Sequence, residues 1–398
     1  MECKSSRIDL GPRARVHSGV GSYIGAPVHV AIGRNSALLS RSDRLYLDHA
    51  ATTPLSIGAR AAMADAAERW ANPSSPHADG RAARAALEEA RKTIADALGW
   101  RHDVILTSGA SEAIQIVAAR AKAGRRILGP TEHEVVVAAM GQTATVLPVD
   151  SNGIVDITAL GAALAREPAL VAIQQANNET GVIQPLPEIS ECVRASGSLL
   201  LADCAQGAGK LPLPEADFIA VSAHKLGGPP GVGALMVRDL ATLEASGGQE
   251  RGYRRGTENL PGAAAMAAAL HGCAFAEAMP HLEALRDKLE QEIVGAGGIV
   301  LAADASRIAT IGAYAMPGVP SANQLVQFDL AGISVSAGSA CSSGSMKQSR
   351  VLAAMDVAPE IAECVIRVSF GPDTSDADLS RFLDEWRRIF GRAEARAA

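Results

Sequence analysis

Ser222-Ala-His-Lys225 delivers a lysine from the end of an apolar run into a turn rich in glycine and proline. A lysine at the mouth of an α/β sheet meets ligands at the carboxyl ends of the strands. A desolvated pocket lowers its pKa and frees the amine to form a Schiff base with an aldehyde. Three further segments supply matching chemistry. Leu106-Thr-Ser-Gly-Ala110-Ser111-Glu112 passes from a strand into a helix through small residues, leaving N–H groups and a hydroxyl for a phosphate. Leu201-Ala-Asp203-Cys-Ala-Gln206 sets a carboxylate at a strand end, where it can keep a pyridine nitrogen protonated. Thr131-Glu-His133 offers an imidazole able to stack on a flat ring and to move protons. Together the four segments describe a pyridoxal phosphate site, with no metal in it.

A fifth segment carries a nucleophile. In Val335-Ser-Ala-Gly-Ser-Ala-Cys341-Ser-Ser-Gly344 the thiol is flanked by glycines and small residues with nothing bulky to bury, which predicts an exposed, mobile loop and a reactive thiol rather than a structural one. The six cysteines form no C-x-x-C pair, so neither a zinc site nor a disulfide framework is read from them, and reduced thiols in a cytoplasmic protein are expected. Gly228-Pro-Pro-Gly-Val-Gly233 looks like a nucleotide-binding loop. It lacks the Lys-Ser/Thr pair of a P-loop and precedes a strand instead of opening a helix.

The elements that must hold these groups follow from the hydrophobic pattern. Apolar, β-rich runs at 104–107, 126–128, 145–149, 170–174, 199–202, 218–221 and 234–237 alternate with helical segments at 112–121, 134–139, 157–165 and 186–195. The alternation predicts an α/β fold: a mostly parallel, seven-stranded sheet with helices on both faces. Beyond it the pattern gives a long helix over 262–292, strands near 299–301, 308–313, 334–336 and 365–369, and a final amphipathic helix after Ser375, together a smaller α+β domain. The expected organisation is an extension over 1–43, a large cofactor-binding domain over 44–260 and a small domain over 261–398 that carries the cysteine loop. Residues 1–43 are arginine-rich and acid-poor, and are read as a poorly ordered extension. As an organellar transit peptide they would make the location mitochondrial, the alternative to cytoplasmic. A net charge of −6 gives no excess of cations for a nucleic-acid backbone, and the uncharged run 261–276 is shorter than the ~20 residues a membrane span needs.

With these residues in view, the chain resembles the NifS-like and IscS-like cysteine desulfurases of the class-V aminotransferase superfamily, which have PLP fold type I. The likeness runs from Leu45 to Asp373 through motifs in family order: Leu45 to Thr53, Asn72-Pro-Ser-Ser75 with His77, Thr107-Ser-Gly109, Thr131-Glu-His133, Asn177-Asn-Glu-Thr-Gly181 and Asp203 to Gln206. Then follow Ser222 to Lys225, Gly247 to Gly252, Arg255-Gly-Thr257, Gly338-Ser-Ala-Cys341 and Arg367-Val-Ser-Phe-Gly371.

The resemblance implies roles. Lys225 would be the Schiff-base lysine, and His133 the residue stacked on the ring. Asp203 would pair with the pyridine nitrogen, while Gln206 and Asn178 would lie by the ring hydroxyl, Asn178 also touching substrate. Ala110, Ser111, Ser222 and His224 would hold the phosphate, with Thr257 supplied by the second subunit of a homodimer. Arg367 would bind the substrate carboxylate as a two-pronged fork. The implied reaction converts L-cysteine to L-alanine: freed Lys225 removes the Cα proton, the Cys341 thiolate attacks the substrate sulfur, and a persulfide remains for an acceptor such as an iron–sulfur scaffold or a thiolation pathway. Cys341 would then contact a nascent cluster only in passing. Two other readings share these residues: a selenocysteine lyase or cysteine sulfinate desulfinase, which need not depend on the loop thiol, and a non-catalytic sulfur-relay scaffold. The second has no physical need for Lys225, Asp203 and His133 together.

Overall fold

The computed structural model describes residues 44–338 and 349–397, so the expectations for residues 1–43 and for Cys341 lie outside the described residues. A short strand, β1 (Leu45–Tyr46), comes first. The next seven are β2 (Asp103–Thr107), β3 (Arg125–Leu128), β4 (Thr145–Val146), β5 (Ala169–Gln174), β6 (Leu199–Asp203), β7 (Phe218–Ser222) and β8 (Gly233–Val237). They form one sheet in the order β2-β8-β7-β6-β5-β3-β4. Only β8 runs antiparallel to its neighbours, so the carboxyl ends of the other six share one edge. All seven predicted strands are present.

The central strands read as unbroken apolar runs because both faces are covered. Along β2, Val104 and Leu106 enter the core beneath the helices Ala78–Ala97 and Leu260–His271, while Ile105 turns to the opposite core with Ala113, Ile114 and Val117 of the helix Ala110–Arg120. Leu87 and Ile94, two turns apart on one stripe of Ala78–Ala97, are fully buried. Each contributes about 2–3 kcal/mol by its burial.

The described residues belong to one compact unit with a second centre of packing. There β9 (Ile299–Val300), β10 (Ile311–Ala315) and β12 (Val365–Ser369) form an antiparallel sheet in the order β12-β10-β9, and β11 (Ile333–Ser334) pairs in parallel with β1. The final helix, Asp376–Ala397, buries Phe382 and Trp386, with Phe382 stacked on Phe328 at 5.1 Å.

Three differences from the sequence pattern have local causes. The stretch read as one helix over 262–292 is two, Leu260–His271 and Ala274–Gly295, bent by 49°. Gly272 ends the first, and Cys273 between them takes a left-handed φ of 49°. No single described helix is long and apolar enough to cross a membrane. The strand expected at 308–313 begins at Ile311, since the Ile308 N–H is already spent on the Gly181 carbonyl. Finally, the boundary at 260/261 falls where Leu260–His271 begins, yet this helix packs with the large sheet through Leu260, Met266 and Leu270. Leu45 and Leu47 join the smaller core instead.

Candidate active site

The shared carboxyl edge of the sheet opens on a cavity of about 660 Å³. Strand ends of the sheet build much of its wall. β6 ends in Asp203, which is buried and whose Oδ1 accepts the Ala205 N–H at 2.9 Å. β7 ends in Ser222, and a single turn of 3-10 helix, Ala223–Lys225, then carries His224 and Lys225 to the wall. β2 leads through Gly109 into Ala110–Arg120, whose N-cap glycine offers no side chain to the first turn. An uncapped helix N-terminus in a cavity suits a phosphate or similar anion. The cap lies against β8: a Cβ on Gly233 would stand 2.4 Å from the Val221 carbonyl and 2.6 Å from the Gly109 Cα. The glycine turn rejected as a nucleotide loop therefore has a packing reason.

Ala110, Ser111, His133, Asn178, Asp203, Gln206, Ser222, His224, Lys225 and Arg367 all line this one cavity. Thr257 is exposed and does not join them.

Electrostatics set the protonation states. Burial pushes the Lys225 amine down to about 8, with Arg367 adding to the effect and Asp203 and Asp48 opposing it. Burial also lowers His133, and Lys225 lowers it further. His133 caps the helix Glu134–Met140, its Nδ1 accepting the Val135 N–H at 3.3 Å, so the ring is neutral with its proton on Nε2. His224, 3.1 Å from the Thr52 hydroxyl, is lowered to about 4 by burial and then by Lys225 and Lys210. Two buried atoms of this set have no hydrogen-bond partner in the protein: Oε1 of Gln206, whose Nε2 donates to the Ala50 carbonyl, and Nε of Arg367. The rest of the Arg367 fork is partly engaged. One nitrogen donates to the Asn178 carbonyl at 2.9 Å and another to Asp48 Oδ1 at 2.7 Å.

Residues 45–382 match the family Aminotransferase class-V. The chain belongs to the class-V aminotransferases. It is 37% identical over 366 residues to a cysteine desulfurase of Cereibacter sphaeroides, covering 86% of this chain and 94% of that one. An IscS-like cysteine desulfurase of Mycobacterium tuberculosis is 36% identical, over 88% of this chain and 98% of the relative. Among solved structures, a NifS-like protein from Rickettsia africae superposes with a TM-score of 0.80 at 28% identity, over 87% of this chain and 99% of that one.

This class-V site also contains groups that sequence reasoning did not single out. Glu132 is buried, and Oε1 accepts the Gln174 N–H at 2.8 Å while Oε2 has no partner. Burial raises its carboxyl well above the usual range and Asp203 raises it further. Glu179 accepts the Ser349 hydroxyl at 2.6 Å, and a Cβ on Gly338 would lie 2.1 Å from the same Oε2. Lys210 is not among the residues lining the cavity; buried with its amine 4.6 Å from the Phe275 ring centre, it is lowered to about 7 by burial and by Lys225. Asp48, Glu132 and Glu179 each sit inside a motif quoted above, so the signal was present. Lys210 had none beyond its place four residues after Gln206.

Proposed function

We propose that the chain is a pyridoxal phosphate-dependent cysteine desulfurase that releases L-alanine and carries the sulfur on Cys341 as a persulfide. The observation that carries this reading is the convergence of Lys225, Asp203 and His133 on one cavity with an uncapped helix N-terminus in its wall. The donor set fits a flat phosphorylated ring: N–H groups of the helix start with Ser222 and His224 for the phosphate, Asp203 for the pyridine nitrogen, Lys225 for the aldehyde carbon. The unpartnered Oε1 of Gln206 and the side chain of Asn178 remain for the ring hydroxyl. When bound, the cofactor supplies an electron sink for the bond broken at Cα.

The remaining work falls to the protein. Lys225, whose amine is about half free at pH 8 where an ordinary lysine is almost wholly protonated, takes the Cα proton. Neutral His133, oriented by its capping bond, donates or accepts a proton at the substrate. Arg367 takes the carboxylate through its unpartnered Nε–H. The Cys341 thiolate forms the new S–S bond as the substrate C–S bond breaks, the substrate carbon gains a proton, and cysteine plus thiol become alanine plus persulfide. The sulfur then passes to an acceptor protein for iron–sulfur assembly or thiolation. The protein works as a homodimer in which Thr257, exposed on its own subunit, completes the phosphate site of the other.

Mass spectrometry after anaerobic addition of L-cysteine should find one extra sulfur on Cys341 and one alanine released. Extra sulfur only on other cysteines, or alanine formed equally by Cys341→Ala, would refute the assignment.

A further inference from the structure

Arg367 does not face the cavity as a lone cation. Asp48 bonds it at 2.7 Å, and both side chains line the cavity wall. The guanidinium is 7% exposed and the Asp48 carboxylate 22%, so the acid is the more open of the two. The backbone of Asp48 is held beside Arg367's strand: it bridges Ser369 in parallel register, its carbonyl accepts the Tyr46 hydroxyl at 3.1 Å, and the Ala50 N–H just beyond it donates to the Ser369 hydroxyl at 2.9 Å. Lys225 lies within electrostatic reach of both members of the pair.

A buried guanidinium alone would draw in any small carboxylate. Paired with Asp48 it presents adjacent plus and minus charges whose sum is zero. A plain carboxylate must share Arg367 with Asp48 and faces the repulsion of that acid. A free α-amino acid has the complementary pattern, an anion and a cation on neighbouring atoms: its carboxylate meets the Arg367 Nε–H while its ammonium meets the outer oxygen of Asp48. We propose that Asp48 is a specificity-determining residue which, with Arg367, forms a two-charge template for the zwitterion of an α-amino acid and disfavours carboxylates that lack the amine. This deepens the function proposed above and rests on it for the placing of substrate at Arg367.

The test uses two ligands of one shape, N,N-dimethylglycine and 3-methylbutanoate, which differ only in an N–H⁺ for a C–H; neither can condense with an aldehyde. Calorimetric titration of the cofactor-loaded enzyme should show the zwitterion binding about tenfold tighter, the scale of one hydrogen bond to a charged group. In Asp48→Asn the two should move in opposite senses, the zwitterion weakening and the plain acid tightening, so that the preference is lost or inverted. Asp48→Glu, which keeps the charge, should retain the preference. If both ligands weaken together in Asp48→Asn, Asp48 merely props up Arg367 and the proposal fails. It fails also if neither changes. Neither ligand contains sulfur, so the ratio is measurable whether or not the enzyme makes a persulfide. An enzyme that forms the persulfide but shows no dependence on Asp48 refutes this inference alone.

Discussion

Lys225 is worth following through pH. An ordinary lysine, near 10.5, is almost wholly protonated in neutral solution, whereas burial brings this one to about 8. Only the free amine attacks an aldehyde. Cofactor-free protein mixed with pyridoxal phosphate and followed by its visible absorption should therefore load faster as pH rises, with a midpoint near 8, and Lys225→Ala should not develop the lysine-dependent band. A loading rate still climbing steeply at pH 10 would mean that the amine is not desolvated. The same burial makes a contribution to stability with a definite sign: between about 8 and 10.5 the unfolded chain binds the proton that the folded one lacks, so stability gains as pH rises through that window. At this scale the sequence was informative where a residue type has a distinctive chemistry, as with Lys225, His133 and Asp203. Asp48 and Glu132 lie inside quoted motifs yet were given no role there, because a carboxylate with a buried partner reads no differently in a sequence from one in water.

Elements decide whether those side chains meet. All seven strands of the large sheet were legible because strands covered on both faces appear as apolar runs bounded by turn residues. The helices Ile57–Glu68 and Ala78–Ala97 were not named, the first because its small alanine-rich face gives little amphipathic contrast. The close approach of β8 to the cap of Ala110–Arg120 was invisible too, since it depends on two glycines, Gly109 and Gly233, that are 124 positions apart and touch only in the fold. Gly233→Ala should destabilise the protein by about 2 kcal/mol, within the range for overpacking a rigid site, and should weaken cofactor retention by displacing the helix cap. Gly58→Ala, with nothing within 4 Å of the new methyl, is the control and should leave urea unfolding unchanged or shift it slightly upward. Equal losses in the two variants would contradict the packing argument.

At the scale of the whole molecule, Thr257 is, among the described residues, the expected site residue that the single chain leaves outside the cavity. It follows a loop anchored from behind: Glu250 is buried, paired with Arg91 at 2.5 Å and accepting the Leu106 N–H at 2.8 Å. The loop is thus held against the edge strand β2 while Thr257 points to solvent, as a residue serving a partner should. If it does, mixing Lys225→Ala with Thr257→Ala subunits should recover activity that neither has alone, since each mixed dimer contains one site with both wild-type residues. No recovery on mixing, with mixed dimers verified by mass spectrometry, would confine Thr257 to its own chain.

The contact between Asp48 and Arg367 spans 319 residues of sequence, and β1 is completed only by β11. A ribosome making this protein therefore finishes the large sheet, with Lys225 already in place, well before the strand bearing Arg367 exists. On the proposed function, a nascent chain would complete its cofactor-binding half before its amino-acid pocket, so a reactive aldehyde bound early would have no substrate to act upon until synthesis is nearly done.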